Sequence, residues 1–338
     1  MMPNMPFDAS SYTVSKSSVQ LAWPALMEHC NTLGQVTEGY LLKLIDVLGA
    51  YSALKYLDNS ALVVTASLDR TNFVHPIKVW DRVVMEAHVT QVWKSSMEIS
   101  VTVDAVDMRT PSMSQYHVAT AKLIYVGLDK ERKPAQLPSL TLDGSPQQLA
   151  EAELADVRKA SRFEEQDAAP WIPLMDDDSA WWVESTREMT PSDANLQGNV
   201  FGGVILEQLA STGRKAAKQQ CMYGAVVGAR MDRVNFLSPG FIGETIRCRA
   251  LVTRTWRTSM EVQVELVAVN PNEPQAPRLI AQCYLVYVRM SPLELPTDVP
   301  PWNAKTPDQE LRAAGADIRR TNRHAERALV DSTLKAIE

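Results

Sequence analysis

The sequence predicts an α+β protein built from two copies of one domain, in each of which an antiparallel sheet wraps around a long helix. Three observations support this prediction: a motif that occurs twice, one long helical pattern in each copy, and several alternating segments after each helix. The repeat is clearest at residues 69–83 and 232–246. The residues that recur 163 positions later are Asp69, Arg70, Asn72, Phe73 and Pro76, which return as Asp232, Arg233, Asn235, Phe236 and Pro239.

The repeat extends on both sides of this motif. Trp93, Ser96, Met97 and Glu98 return at the same offset as Trp256, Ser259, Met260 and Glu261. Upstream, Asn31, Gly34, Val36 and Gly39 return 164 positions later as Asn195, Gly198, Val200 and Gly203. A match at nearly constant spacing over this length predicts a duplicated domain.

Each copy contains one long helical pattern followed by several strand patterns. In the first copy, Leu41, Leu44, Ile45 and Leu48 follow helical spacing and predict a helix at 37–57. Strands are predicted at 62–68, 82–93, 96–106 and 116–126, and the second copy has a helix at 201–219 and strands at 225–231, 245–256, 259–269 and 279–289. One helix for each antiparallel sheet predicts a sheet wrapped around a central helix.

The remaining segments are predicted to be tails, a linker and two surface helices. The predicted divisions are a tail at 1–15, a first domain at 16–130, a linker with a charged helix at 131–180, a second domain at 181–290, and a tail with a helix at 291–338. The helical patterns at 151–167 and 306–337 are polar, so we expect both helices to pack on the outside of the domains. A regulatory or partner-binding role for the C-terminal helix is the alternative.

Composition narrows the class of protein. The net charge of −6 and the pI near 5.5 argue against a nucleic-acid-binding protein, which usually carries a basic surface. The four cysteines have no metal-site or redox spacing, and they are interpreted as reduced, buried thiols. The chain lacks the roughly 18 consecutive apolar residues of a membrane helix, and its first residues do not resemble a signal peptide. We therefore expect a cytoplasmic protein without membrane insertion.

Two glycines mark the first candidate for chemistry. Gly202 and Gly203 stand where the loop after Asn195 enters the predicted helix of the second copy. Unpaired backbone N–H groups at a helix N-terminus favour a developing negative oxygen, and glycines there let a substrate approach closely. A plain turn is the alternative interpretation of the glycine pair taken alone.

Asp46 is the second candidate. It lies in the middle of the first predicted helix, and its helical neighbours are Leu42, Gly49, Ala50 and Ala53. A carboxylate on such a small, apolar face is costly unless it is paired or used, and burial raises its pKa. An exposed or capped acid is the alternative, but the apolar face favours a functional role.

Neither copy holds both features. Asp46 lies 15 residues after Asn31, whereas Ala210 lies 15 residues after Asn195, and Glu38 replaces the first glycine of the pair. A site formed between the copies from Asp46, Asn195, Gly202 and Gly203 is complete once, and its mirror image lacks the acid. This divergence is expected when a duplicated homodimer keeps one of two equivalent sites.

Other catalytic motifs are absent from the sequence. It contains no nucleophile elbow, zinc-protease motif or phosphate-binding loop. The five histidines are scattered, and no spacing suggests a metal site. His29 and His75 are predicted in loops near the proposed cleft, where a lone histidine is usually solvated.

Taken together, these motifs resemble the hotdog-fold acyl-CoA thioesterases, in particular the double-hotdog group of brain-type acyl-CoA hydrolases. The matching segments are 193–203, 234–239 and 257–262, with weaker copies at 72–76 and 94–99. The similarity covers about 16–128 and 181–290, which is most of the chain. The resemblance implies tandem hotdog domains and hydrolysis of fatty acyl-CoA to a free fatty acid and CoA, without a metal or organic cofactor.

The resemblance also implies roles for individual residues. Asp46 is the acid that activates water or attacks the thioester directly, Asn195 of the other domain orients the reacting groups, and Gly202 or Gly203 polarises the carbonyl. The candidates for contacts with CoA lie in two hairpin turns and are Lys94, Ser96, Arg257 and Ser259; ordinary exposed turn residues are the alternative. The resemblance further implies a homo-oligomer of three chains.

Some positions depart from the pattern. Glu38 and Ala210 predict that the second site is inactive. Trp80 stands where the second copy has Gly243, which predicts a reshaped turn. Two other functions are weighed: a non-catalytic acyl-CoA sensor, for which the C-terminal helix is a natural output, and an enoyl-thioester hydratase. The hydratase needs a histidine at a set spacing after the acid, and no histidine follows Asp46 at that spacing.

Overall fold

The computed structural model describes residues 12–59, 62–164, 171–175, 182–195 and 198–337. Most of the predicted N-terminal tail, two stretches of the predicted linker and the end of the predicted 151–167 helix lie outside these residues. The chain forms an α+β fold in which two long helices are wrapped by antiparallel strands, as the repeat predicts.

The first copy contains α1 (Val14–Ser17), β1 (Val19–Pro24), α2 (Glu38–Tyr56), β2 (Leu62–Leu68), β3 (Thr71–Asn72), β4 (Arg82–Val92), β5 (Ser96–Val106) and β6 (Gln115–Leu128). Helix α3 (Pro146–Glu164) follows. The second copy contains β7 (Val183–Glu188), α4 (Gly202–Gln220), β8 (Val226–Met231), β9 (Val234–Phe236), β10 (Thr245–Thr255), β11 (Ser259–Val269) and β12 (Arg278–Arg289), and is followed by α5 (Pro307–Ile337). The predicted helices and strands agree with these bounds to within two residues, except for helix α3. Helix α3 begins five residues before its predicted start.

The strands of both copies join into one twelve-stranded sheet in the described part of the chain. The two halves meet where β2 pairs with β9, with Ser67 opposite Asn235, and where β3 pairs with β8. Each half curls around its own central helix, and the apolar face of β5 (Met97, Ile99, Val101 and Val103) is fully buried. Burial of this alternating face against a helix is the main stabilising contribution in each half.

Helices α2 and α4 pack against each other between the two halves. The Cβ of a residue at position 203 would lie 2.8 Å from the Lys43 carbonyl oxygen, and one at position 39 would lie 3.2 Å from the Glu207 carbonyl oxygen. Glycine at both positions therefore permits the close approach of the helices. Lys43 and Glu207, which are 164 residues apart and equivalent in the two copies, form an ion pair at 3.0 Å.

The outer helices cover the other face of each half-sheet, as predicted. Arg158 and Arg162 of α3 bind the fully buried carboxylate of Glu98, and Trp93 donates to Asp156 at 2.8 Å. The second copy repeats each of these contacts with the equivalent residues Arg319, Arg323, Glu261, Trp256 and Asp317. The pattern Asp-x-Arg-x-x-x-Arg at 156–162 and 317–323 shows that the outer helix is part of the repeat.

The turn at Trp80 is not reshaped, so that prediction was wrong. Trp80 has φ +73° and Gly243 has φ +83°, and their amides donate to equivalent carbonyl oxygens, those of Ala25 and Met189. The Trp80 side chain points outward and is 61% exposed. The turn therefore keeps its backbone shape at the cost of a left-handed conformation that glycine adopts more easily.

Candidate functional site

Asp46 lies in the middle of α2 and is completely buried. Its Oδ2 accepts a hydrogen bond of 2.6 Å from the backbone N–H of Gly203, at the start of α4 in the other copy. Its Oδ1 accepts from the Thr65 hydroxyl at 2.7 Å and from the Tyr125 hydroxyl at 3.1 Å. The carboxylate of one copy thus caps the helix of the other, which supplies the pairing that a buried acid requires.

The two hydroxyl groups are delivered by neighbouring strands. Thr65 on β2 is the partner of Tyr125 on β6 in the antiparallel register. The Tyr125 hydroxyl also donates to the Asp46 carbonyl oxygen at 2.7 Å. A Cβ at Gly49, one turn further along α2, would lie 2.6 Å from this hydroxyl. Gly49 therefore makes room for the tyrosine beside the acid.

Burial raises the pKa of Asp46 above its ordinary value, because the ionised form loses its hydration. The hydrogen bonds from Thr65, Gly203 and Tyr125 act in the opposite direction and favour the ionised form. A buried carboxyl with opposing influences of this kind is common at catalytic sites, where an acid must exchange a proton near neutral pH.

The two glycines at the start of α4 play different parts. The Gly203 N–H already donates to Asp46. Of the two glycines predicted to polarise a substrate carbonyl, Gly203 is therefore not the one that can donate to it. The Gly202 N–H has no hydrogen-bond partner within the described part of the chain. A Cβ at position 202 would lie 2.9 Å from the Thr65 hydroxyl oxygen and 3.2 Å from Asp46 Oδ1. Only glycine leaves this N–H accessible beside the acid.

Asn195 lies in the loop that leads into α4. Its backbone N–H donates to the Asn199 carbonyl oxygen at 2.8 Å, and its side-chain Oδ1 accepts from the Asn199 N–H at 3.1 Å. These two bonds hold Asn195 to Asn199 and orient the asparagine. Asn195 lines the same cavity as Thr65 and Gly202, so the structure brings the predicted residues of the two copies together.

A cavity of about 890 Å³ adjoins this group of residues and lies between the two copies. Most of its lining is apolar, from α2, β2 and β6 of the first copy and from residues 236–240 and Ile280 of the second. Asp46 itself does not line it, because Thr65, Tyr125 and Gly202 separate the carboxylate from the open space. No histidine of the described residues lines it, whereas His75 lines a smaller cavity elsewhere.

The four predicted CoA contacts fall into two separate places. Lys94 and Ser96 lie at the turn between β4 and β5, and Ser96 pairs with Val126, which lines the large cavity. Arg257 and Ser259 lie at the equivalent turn of the second copy, where Ser259 pairs with Val288 beside the smaller cavity. None of the four side chains lines the large cavity, and their contacts with CoA stay a prediction.

The smaller cavity, of about 220 Å³, is the mirror image of the large one. The residues that take the places of Asp46, Thr65 and Gly202 are Ala210, Gly228 and Glu38, whereas Tyr287 keeps the place of Tyr125 and donates to the Ala210 carbonyl oxygen at 2.8 Å. The Glu38 side chain fills this place: a Cβ on Gly228 would lie 2.6 Å from its Cγ. Arg214 donates to Glu38 at 3.0 Å. Its equivalent in the first copy is Ala50, which lines the large cavity.

Sequence reasoning missed Thr65, Tyr125 and the part played by Gly49. The replacement of Thr65 by Gly228 in the second copy was the available signal for the threonine. The tyrosine recurs in both copies, so a comparison of the copies could not single it out. Among the described residues, no group of three or more histidine, cysteine or acidic side chains could hold a metal ion. No helix in the described ranges is long and apolar enough to cross a membrane.

Comparison with known proteins supports the duplication. The sequence pattern of the thioesterase superfamily matches twice, at residues 33–112 and 197–275. The chain is 26% identical to the acetyl-coenzyme A thioesterase of Rattus norvegicus over 328 residues, which cover 91% of this chain and 57% of that protein. It therefore spans a little more than half the length of the first curated relatives that it matches.

A shorter relative and a solved structure add to this. The acyl-CoA thioester hydrolase YciA of Salmonella typhimurium is 30% identical over 112 residues, which cover 32% of this chain and 84% of that protein. The acyl-ACP thioesterase structure from Bacteroides thetaiotaomicron is 12% identical, covers 81% of this chain and 98% of that one, and superposes with a TM-score of 0.50, a likeness of fold. With the pattern matched in both copies and 84% of a 30% identical relative covered, the chain belongs to the thioesterase superfamily and carries two of its hotdog domains in tandem.

Proposed function

We propose that this protein is an acyl-CoA thioesterase with one active site per chain, shared between its two hotdog domains. The observation that carries the proposal is the buried carboxylate of Asp46 at the N-terminus of α4, beside a large apolar cavity. The names of the relatives, which are thioesterases and thioester hydrolases of acyl-CoA, support the class of substrate.

The N-terminus of α4 supplies electrostatic stabilisation. The thioester carbonyl oxygen accepts from the Gly202 N–H, and the helix dipole favours the negative charge that this oxygen gains as the carbonyl carbon is attacked. Gly203 supports the same reaction indirectly, since its N–H holds the Asp46 carboxylate in position.

Asp46 acts in its ionised form. As a general base it removes a proton from water, the resulting hydroxide adds to the carbonyl carbon, and the intermediate expels the CoA thiolate, which takes the proton back. As a nucleophile it forms an anhydride with release of the thiolate, and water then cleaves the anhydride. Both routes need Thr65 to give way slightly, because this residue stands between the carboxylate and the cavity.

Asn195 orients the reacting groups, and the apolar walls of the cavity receive the acyl chain. Asn195 lines the cavity together with Gly202 and Thr65, close to where the thioester has to lie. The cavity volume of about 890 Å³ falls in the range usual for small-molecule sites. Burial of the acyl chain there supplies binding energy away from the reacting centre.

The first test is thiol release from a panel of acyl-CoAs of increasing chain length, for the wild type and Asp46→Asn. We expect the wild type to release CoA and the variant to lose at least about 100-fold in kcat, the usual loss when a general base is removed. Acyl-CoA binding without thiol release would identify a sensor. Hydration of an enoyl-CoA without hydrolysis would identify a hydratase. The lack of a histidine among the described residues that line the cavity argues against this outcome.

We also propose that the protein is a cytoplasmic homo-oligomer of three chains. The exposed apolar side chains of Leu154 and Val157 on α3 and of Leu311 and Ile318 on α5 support association through the outer helices. All four cysteines are unpaired, in keeping with a reducing compartment. Sedimentation equilibrium tests the number of chains, since a mass of one chain would contradict it, and cell fractionation tests the compartment.

A further inference from the structure

One turn at the mouth of the large cavity differs sharply from its counterpart in the second copy. Residues 129–133 follow β6, and Arg132 of this turn lines the cavity. Residues 291–295 follow β12 in the same way. The backbones match: Arg132 N–H donates to the Asp129 carbonyl oxygen and Glu294 N–H to that of Ser291, both at 3.0 Å. Arg132 and Glu294 have φ values of +62° and +59°.

The side chains on this common backbone have opposite character. The first turn reads Asp129-Lys130-Glu131-Arg132-Lys133, and the second reads Ser291-Pro292-Leu293-Glu294-Leu295. At the smaller cavity Glu294 binds Lys78 at 2.8 Å and accepts from Gln35 at 3.4 Å. An acidic residue therefore stands at the mouth of the mirror cavity, and a cation stands at the mouth of the cavity beside Asp46.

Arg132 lies beyond the end of β6, the strand that carries Tyr125 to Asp46. Leu128, which also lines the cavity, is three residues beyond Tyr125 on β6, or about 10 Å along the strand. Arg132 follows beyond the end of this strand and is exposed. The turn that carries Lys94 adjoins the same end of β6, since the Gly127 N–H donates to the Ser95 carbonyl oxygen at 2.9 Å.

Among the described residues, no charged side chain lines the opposite end of the cavity, and Arg278, which donates to the Pro239 carbonyl oxygen there, is paired with Glu244. Its walls there come from residues 236–240 and Ile280, which are apolar or uncharged. The phosphates of CoA need cations and access to water, whereas an acyl chain needs an enclosed apolar wall. The two ends of the cavity therefore suit the two ends of the substrate.

We infer that Arg132 binds the phosphates of the CoA moiety and so fixes the direction in which acyl-CoA enters, with the nucleotide at the 129–133 turn and the acyl chain towards Ile280. This inference rests on the proposed thioesterase function. A guanidinium pairs with phosphate through two parallel hydrogen bonds, so a single arginine gives direction as well as affinity.

The test compares two thioesters of the same acyl group, one of CoA and one of N-acetylcysteamine, which has no phosphates. In Arg132→Gln we expect KM for acyl-CoA to rise about tenfold or more, because a charge-assisted contact is lost. Hydrolysis of the N-acetylcysteamine thioester stays as in the wild type. Arg132→Glu, which copies Glu294, has the larger effect on acyl-CoA and still spares the short thioester.

The matched control is Arg82→Ala, which removes an exposed arginine at the far end of β4 and leaves both substrates unaffected. Equal effects of Arg132→Gln on the two thioesters, or no effect on either, overturn the inference. If the wild type hydrolyses neither thioester, the proposed function fails instead. Calorimetric titration with CoA then decides the inference alone: it stands if Arg132→Gln weakens binding, and falls if affinity is unchanged or CoA does not bind.

Discussion

The large cavity and its mirror image lie at equivalent places of the two copies and differ in many of their lining residues. Both keep the asparagine turn, the glycine at the helix crossing and the strand tyrosine, which are the residues that set the backbone. They differ in the acid, the hydroxyl beside it and the glycine that exposes a helix N–H. The fold therefore tolerates these replacements, since the shared residues set the packing. In the proposed function, the acid, the hydroxyl and the exposed N–H that the mirror cavity lacks all take part in the reaction.

Two charged side chains also fill part of the mirror cavity. Glu38 and Arg214 form an ion pair where the large cavity has Gly202 and Ala50. Such a pair in a buried place stabilises only when its geometry is good and both partners remain. In a fused pair of domains one site can be closed in this way while the other stays open, which is impossible in a homodimer of identical chains.

The largest expected effect is the difference in kcat between variants of the two buried carboxylates, Asp46 and Glu38. Asp46→Asn lowers kcat by at least about 100-fold, because the base or nucleophile is lost. Glu38→Gln leaves kcat per folded molecule unchanged, since Glu38 belongs to the closed site. Thiol release normalised to the folded fraction measures both, and a comparable loss in the two variants would contradict the assignment of a single site.

The second largest expected effect concerns the stability of variants at Gly203 and Gly39, the two glycines where α2 and α4 cross. Gly203→Ala is expected to destabilise the protein by about 1–3 kcal/mol, since the new methyl group meets the Lys43 carbonyl oxygen. Gly39→Ala costs less, because its nearest neighbour is farther away. Denaturant unfolding of the two variants checks the order. A greater loss of stability in Gly39→Ala would show that the structure around position 39 adjusts less easily to a methyl group than the structure around position 203.

Thr65 offers a test of how the carboxyl is tuned. Thr65→Ala removes a hydrogen bond that lowers the pKa of Asp46, so this pKa rises further above its ordinary value. The acid limb of the pH–rate profile then moves to higher pH, and kcat at neutral pH falls about tenfold, as for loss of one good hydrogen bond.

Thr65→Ser is the control, because it keeps the hydroxyl. It should retain the wild-type acid limb. An unchanged acid limb in Thr65→Ala would mean either that Asp46 is not the titrating group or that Thr65 does not influence it.

The smallest expected effect concerns the ion pair between the copies. Lys43→Glu places two acids at equivalent positions of α2 and α4, as in a homodimer of identical domains with Glu at this position. We expect it to lower the free energy of unfolding by less than about 1 kcal/mol, because the pair is partly exposed. The double change with Glu207→Lys restores the pair in reverse. Thermal unfolding at low salt measures both. If the double change were no more stable than Lys43→Glu, the pair would contribute nothing measurable.

The sequence by itself determined the duplication, the helices and strands, and the absence of the acid from one of two equivalent places. These features are local or periodic, so spacing and residue type are enough to find them. Asp46 could be singled out because an acid on an apolar helix face is a local conflict. The asymmetry of Glu38 and Ala210 was readable from the alignment of the two copies.

Only the tertiary structure decided which groups meet. The Gly203 N–H is taken by Asp46 and the Gly202 N–H is not, and no local pattern distinguishes these neighbours. Thr65 and Tyr125 reach Asp46 from strands distant in sequence, through a register that pairing alone sets. The cationic mouth at Arg132 likewise depends on where a turn lies relative to a cavity. Contacts of this kind arise from packing between separate segments, which spacing along one chain does not encode.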